Sequence, residues 1–213
     1  MSASLLGDAF AHHVWATVRL MDACLELTED QLTSVVPGTF GSILATQRHL
    51  VGSDASYLFV IGGGKSPLID EENMSLPELR ESMQGHESAW SRLLAQDLDP
   101  AAPVVRHRDD GSESHAPLGI RLAQALHHGS DHRSQICTVL TTLGIEPPAI
   151  DVWDFGEHEG RVTFIPAPAR FAIVGGVADS AWIGLRVVGR WRGRGLEGVL
   201  FSPGDAESFV RTG

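Results

Sequence analysis

Two histidines, His128 and His132, stand four positions apart in the segment Ala-Leu-His-His-Gly-Ser-Asp-His-Arg-Ser-Gln-Ile. On a helix that spacing offsets the side chains by only ~40° around the axis and ~6 Å along it. Both imidazoles then reach one ion from the same side, as in other helical His-x3-His metal pairs. The pair interrupts an apolar stripe, with Leu118, Leu122 and Ala125 before it and Ile136, Val139 and Leu143 after it. Imidazoles on an inward-facing seam need partners for their nitrogens. A shared cation supplies one and keeps both rings neutral; a hydrogen-bonded or partly exposed pair fits the same spacing. His127, displaced by ~100° from His128 around the helix, is the weaker candidate.

A mononuclear site needs a further ligand. His49, between Arg48 and Leu50, is followed on nearly the same side by the small residues Gly52, Ser53 and Ser56. That surface leaves room for an ion and a ligand, although on its own His49 reads as an exposed helix histidine. Asp131 lies ~100° around the helix from His132. Asp54 and Gln135 are the candidates for orienting the imidazoles from behind. His12 and His13, ahead of Trp15, either line a pocket or face solvent, and His86 lies on the apolar face of a later helix.

The elements that must position these residues follow from periodicity. Phe10, Val14, Val18, Met21 and Leu25 trace a helix from about residue 5 to 27. Ser42 is a suitable N-cap for a second helix that Gly62-Gly63-Gly64 ends. Ser75-Leu76-Pro77-Glu78 has the pattern of a capping box opening a third, along which Leu79, Met83, Trp90 and Leu93 share a face. A long connection from about 97 to 117 follows, with a turn at Asp110-Gly111 and one short strand suggested by Val104-Val105. A fourth helix begins near Pro117, read as its first residue, and runs to Leu143, where Gly144 and then Pro147-Pro148 stop it. The expectation is an all-α four-helix bundle over residues 1–160, with a crossover between helices 3 and 4. Residues 161–213 read as a C-terminal extension, irregular, poorly ordered or a small β appendage, with Arg186–Trp191 its best strand candidate.

The segments GSILATQRHLVGSDASYL and HHGSDHRSQICTVLTTLGIEPPAIDVWDF resemble the DinB family, over roughly residues 5–160. That family is similar in fold to the mycothiol-dependent maleylpyruvate isomerases and to thiol transferases of the same superfamily. The resemblance implies a helix-two histidine joined to the helix-four pair, so that His49, His128 and His132 hold one divalent metal. Ser134 departs from the glycine usual in the family, a change that bears on helix packing more than on coordination. The implied activity is metal-dependent transfer of a low-molecular-weight thiol to a small-molecule substrate. Metal-dependent hydrolysis and a non-catalytic metal-binding stress-response role are the alternatives. Zinc and nickel both suit imidazole ligands, and a homodimer is the assembly that the resemblance suggests.

Composition narrows the classes. A formal net charge of −11 opposes nucleic-acid binding, which needs a basic face; the arginines at 190, 192 and 194 read as a solvated surface. No run of about 20 apolar residues exists to span a membrane, and the start of the chain has no signal-peptide pattern, so the expected location is the cytoplasm. Two cysteines, Cys24 and Cys137, are too few for a disulfide framework and read as buried thiols.

Overall fold

A computed structural model describes residues 4–165 and the backbone of 190–191 and 194–195. By its contacts the chain divides into two units, Met1–Val162 and Thr163–Gly213. The first is mostly helical. Its long helices are α1 (Leu5–Cys24), α3 (Ile43–Ile61), α4 (Leu76–Leu94) and α5 (Leu118–Thr142), with short α2 (Glu29–Thr33) and α6 (Val152–His158).

The helix ends follow local chemistry. Ser4 and Ser42 accept hydrogen bonds from the backbone N–H of Gly7 and Ala45 at 3.0 and 3.2 Å, satisfying donors that the first turn leaves free. The Ser75 backbone donates to Glu78 Oε2 at 2.7 Å, as the capping-box pattern requires. At the end of α5, Gly144 takes φ +75°, and Ile145 N–H reaches back to Leu140 O at 2.9 Å. That is a Schellman closure, and it favours glycine because the left-handed conformation crowds a Cβ.

Packing pairs α1 with α4 and α5, and α3 with the same two helices. Helices α1 and α3 therefore lie on one diagonal, α4 and α5 on the other. The connections from α1 to α3 and from α4 to α5 both cross the group, which agrees with the long link expected before the last helix. Phe10, Met21, Ile43, Leu50, Met83, Trp90, Ile136 and Leu140 meet in the shared core.

The structure departs from the sequence expectation in its short elements. The α4–α5 connection is a β-hairpin, β1 (Pro103–His107) against β2 (Glu113–Pro117), so the unit is not purely α-helical. Pro117 ends β2 and sits at the cap of α5 rather than inside its first turn. The nearly buried Arg121 ties the hairpin to α5, donating to the carbonyls of Ser114 and Val104 at 2.6 and 3.0 Å. Helix α2 buries none of its five residues, so no apolar period marked it in the sequence. Helix α1 stops at Cys24, short of the expected Leu27.

In the second unit, Arg190–Trp191 pairs antiparallel with Arg194–Gly195. The rest of the Arg186–Trp191 strand candidate lies outside the described residues, as do the side chains of the arginine cluster. No helix among the described residues is long and apolar enough to cross a membrane.

Candidate metal centre

Helix α3 contributes His49 and helix α5 contributes His128 and His132. The Nε2 atoms of His49 and His128 lie 3.0 Å apart, and those of His128 and His132 lie 3.1 Å apart. One nitrogen from each residue falls within 4.8 Å of the others, a cluster close enough to hold a metal ion. An ion about 2.0–2.1 Å from each imidazole nitrogen would keep neighbouring nitrogens ~3 Å apart, so the donor set and spacing fit.

The hydrogen bonds behind the rings fix their orientation. His132 Nδ1 lies 3.1 Å from Gln135 Oε1, an acceptor, so the ring proton sits on Nδ1 and the Nε2 lone pair faces the cluster. The same amide oxygen accepts from the backbone N–H of Phe40 at 3.1 Å. The Phe40 ring stacks on His49 at 4.3 Å and meets His132 edge-on at 5.1 Å. Burial and the neighbouring His132 and His49 push the His128 imidazole down to about 4. His49 is lowered in the same way, by burial first and then by His132. Nitrogens that resist protonation are the form a cation needs.

The space that Gly52 leaves beside His49 is not open. The Glu71 carboxylate fills it, so closely that a Cβ on Gly52 would lie 1.6 Å from Glu71 Oε2. Arg48 donates to the Met74 carbonyl at 3.0 Å and ties down the connection that carries Glu71. Burial, then Glu72 and Asp70, push the Glu71 carboxyl up.

The model of the DinB family matches residues 1–165. The chain belongs to the DinB family. A solved DinB-like protein from Bacillus cereus ATCC 10987 shares its fold at 16% identity and a TM-score of 0.52, covering 67% of this chain and 93% of that one. Among the curated proteins no relative matches.

In this DinB-family chain Gln135, one of the two residues offered for orienting the imidazoles, lies behind His132. Asp54 does not: it hydrogen-bonds none of the three histidines. Its carboxylate, 2% exposed, accepts from His13 Nε2 at 3.0 Å, His86 Nδ1 at 2.7 Å and Trp90 Nε1 at 3.1 Å. Burial alone would raise this carboxyl; the hydrogen bonds from His13 and His86 outweigh it and hold the group well below the usual range. Arg133, next to His132, donates to His13 Nδ1 at 3.0 Å and to Thr17 Oγ1 at 3.1 Å. Arginine can only donate, so His13 carries its proton on Nε2 and bridges the Arg133 cation to the Asp54 anion. Burial lowers Arg133 to about 10, which leaves it charged at neutral pH.

Sequence reasoning gave no part in the site to Phe40, Glu71 or the His13–Arg133 contact. Phe40 and Glu71 lie in connections without periodicity. Gly129 was the one available signal: a Cβ there would lie 2.3 Å from His13 Cε1, so the helix must be bare for α1 to approach. His127 faces outward to an exposed pairing with Asp131 at 3.0 Å, and His12 bonds the Ile150 carbonyl at 2.9 Å.

Proposed function

We propose that this chain is a four-helix-bundle metalloenzyme that transfers a low-molecular-weight thiol to a small electrophile. His49, His128 and His132 hold one divalent ion, zinc or nickel. The observation that carries this reading is the convergence of three Nε2 atoms with no carboxylate or thiolate joining them among the described residues. Structural zinc sites are usually closed by four protein ligands, whereas three leave a position for an exogenous group. A divalent ion there supplies the positive charge that lowers the pKa of a thiol or water.

The chain's own residues do the rest. Gln135 keeps the His132 lone pair on the cluster side. Phe40, 53% exposed and stacked on His49, offers an apolar wall for the body of an electrophile. The sulfur–carbon bond forms as the thiol proton is lost to solvent, and at the electrophilic carbon either a leaving group departs with its electron pair or a π bond opens and its electron pair takes up a proton from solvent. Among the described residues no carboxylate joins the three imidazoles, and a thiol of ordinary acidity needs less help from a base than water does. The choice of a thiol rests on the resemblance to mycothiol-dependent isomerases.

Elemental mass spectrometry of untagged protein tests the site. About one ion per chain in the wild type, absent from His49→Ala and His132→Ala, is expected. A screen of thiols against electrophiles then tests the chemistry. Turnover in buffer alone would identify a hydrolase, and no turnover with metal in place would leave a non-catalytic metal-binding protein.

A further inference from the structure

Away from the three histidines, an open-sided cavity of about 550 Å³ lies between the end of α3, the 62–75 connection and α4. Small-molecule sites commonly enclose about 300–1,000 Å³. Leu58, Ile69, Met74 and Ala89 give it apolar walls, and His86 contributes an imidazole. That ring is only 12% exposed and is oriented from behind by the buried Asp54. Because Nδ1 donates to Asp54 Oδ2 at 2.7 Å, the neutral ring keeps its lone pair on Nε2. Nε2 meets no hydrogen-bond partner among the described residues. A carboxylate-oriented imidazole with its second nitrogen unused is the arrangement that accepts a proton or hydrogen bond from a ligand.

The rim adds charge. Lys65, the chain's only lysine, and Arg92 line the cavity, and neither has a carboxylate partner among the described residues. Glu78 is engaged by the Ser75 backbone and hydroxyl, leaving Glu81 as the unengaged acid. Glu78 keeps its charge in those bonds, so the two cations balance two carboxylates, and the rim suits a monoanion better than a dianion.

We infer that this cavity is a second small-molecule site, taking a hydroxylated monocarboxylate with an apolar body: its hydroxyl donates to His86 Nε2 and its carboxylate meets Lys65 or Arg92. The inference does not depend on the metal centre. Asp54 serves two histidines at once, His13 on the side of Arg133 and His86 on the side of the cavity.

The test is an NMR titration of the full-length chain with mandelate, beside phenylacetate, which lacks the hydroxyl, and benzyl alcohol, which lacks the carboxylate. Mandelate should shift the His86 ring and Ala89 amide saturably and leave His128 and His132 unmoved. Phenylacetate should bind about tenfold more weakly, the loss expected for one hydrogen bond at this kind of site. The variant His86→Asn keeps a donor near the position of Nδ1 and removes Nε2, and should bring mandelate down to the phenylacetate affinity. Lys65→Met at the rim should weaken both acids and spare benzyl alcohol, and Ala89→Leu should narrow the cavity and weaken all three ligands. The last two leave the Asp54 network intact, so they decide the matter even where His86→Asn fails to fold. No saturable shift with mandelate, or mandelate binding unchanged in Lys65→Met and Ala89→Leu, overturns the inference.

Discussion

Gln135 accepts a hydrogen bond from His132 Nδ1 at 3.1 Å, three positions away on the same helix. Its oxygen also receives the Phe40 backbone N–H, so one amide sets both the tautomer of a candidate ligand and the position of the ring stacked on His49. Replacing it with leucine removes both bonds at little cost in volume. Outer partners of ligating histidines typically contribute 10–100-fold in metal affinity. Gln135→Leu should therefore bind zinc about 10–100-fold more weakly in chelator competition, with stoichiometry unchanged at saturation. Unaltered affinity would show that His132 needs no such support.

Gly129→Ala tests the close approach of α1 to α5. The added methyl would meet His13, which Asp54 and Arg133 hold from both sides, so it cannot simply rotate away. Overpacking of this kind costs ~1–3 kcal/mol, more than the helix propensity gained over glycine. Urea unfolding should show the loss; a variant more stable than wild type would mean that His13 shifts freely.

Asp54 predicts a pH dependence whose sign is set by its lowered carboxyl. A group more acidic folded than unfolded stabilises fully above its unfolded value, ordinarily about 3.9, and loses that contribution as pH falls through the folded one. Asp54→Asn leaves Arg133 without its anion and should cost ~3–5 kcal/mol at neutral pH. The gap between wild type and variant should narrow below about pH 4. A gap that stays constant through that range would assign the effect to packing rather than charge.

Gln47, 1% exposed, has an amide with no nitrogen or oxygen partner in the core, next to the weakly bonding Cys24 thiol. An unsatisfied buried amide costs ~1–3 kcal/mol, and an apolar residue of similar size removes the penalty. Gln47→Leu should raise the melting temperature. A lower one would show that the amide is satisfied, by the Cys24 thiol or by a buried water.

Much of the helical frame was legible because its signals are local. Ser42, the Ser75–Glu78 box, the glycines at 62–64 and Gly144 mark termini through bonds made within a few residues. Val104-Val105 signals only half of the hairpin, since the partner strand Glu113–Pro117 is set by its register with Pro103–His107 and not by any apolar alternation of its own. Helix α6 carries no apolar period although Asp151 caps it, because only Phe155 of its seven residues is buried.

The same division runs through the site. That His128 and His132 share a helix face follows from their spacing alone, because a four-residue step on an α-helix has one geometry. The sequence also supplied Gln135, whose bond to His132 spans a single turn. His49, 79 positions away from His128, was named by the family resemblance and by no local pattern; packing in three dimensions brings it to that face, and turns Asp54 to His13 and His86 instead of the metal candidates. Which faces meet across the chain depends on side-chain packing between helices that are diagonal or adjacent, and on crossings that no local pattern encodes. A sequence fixes what each turn presents; the folded core selects what it is presented to.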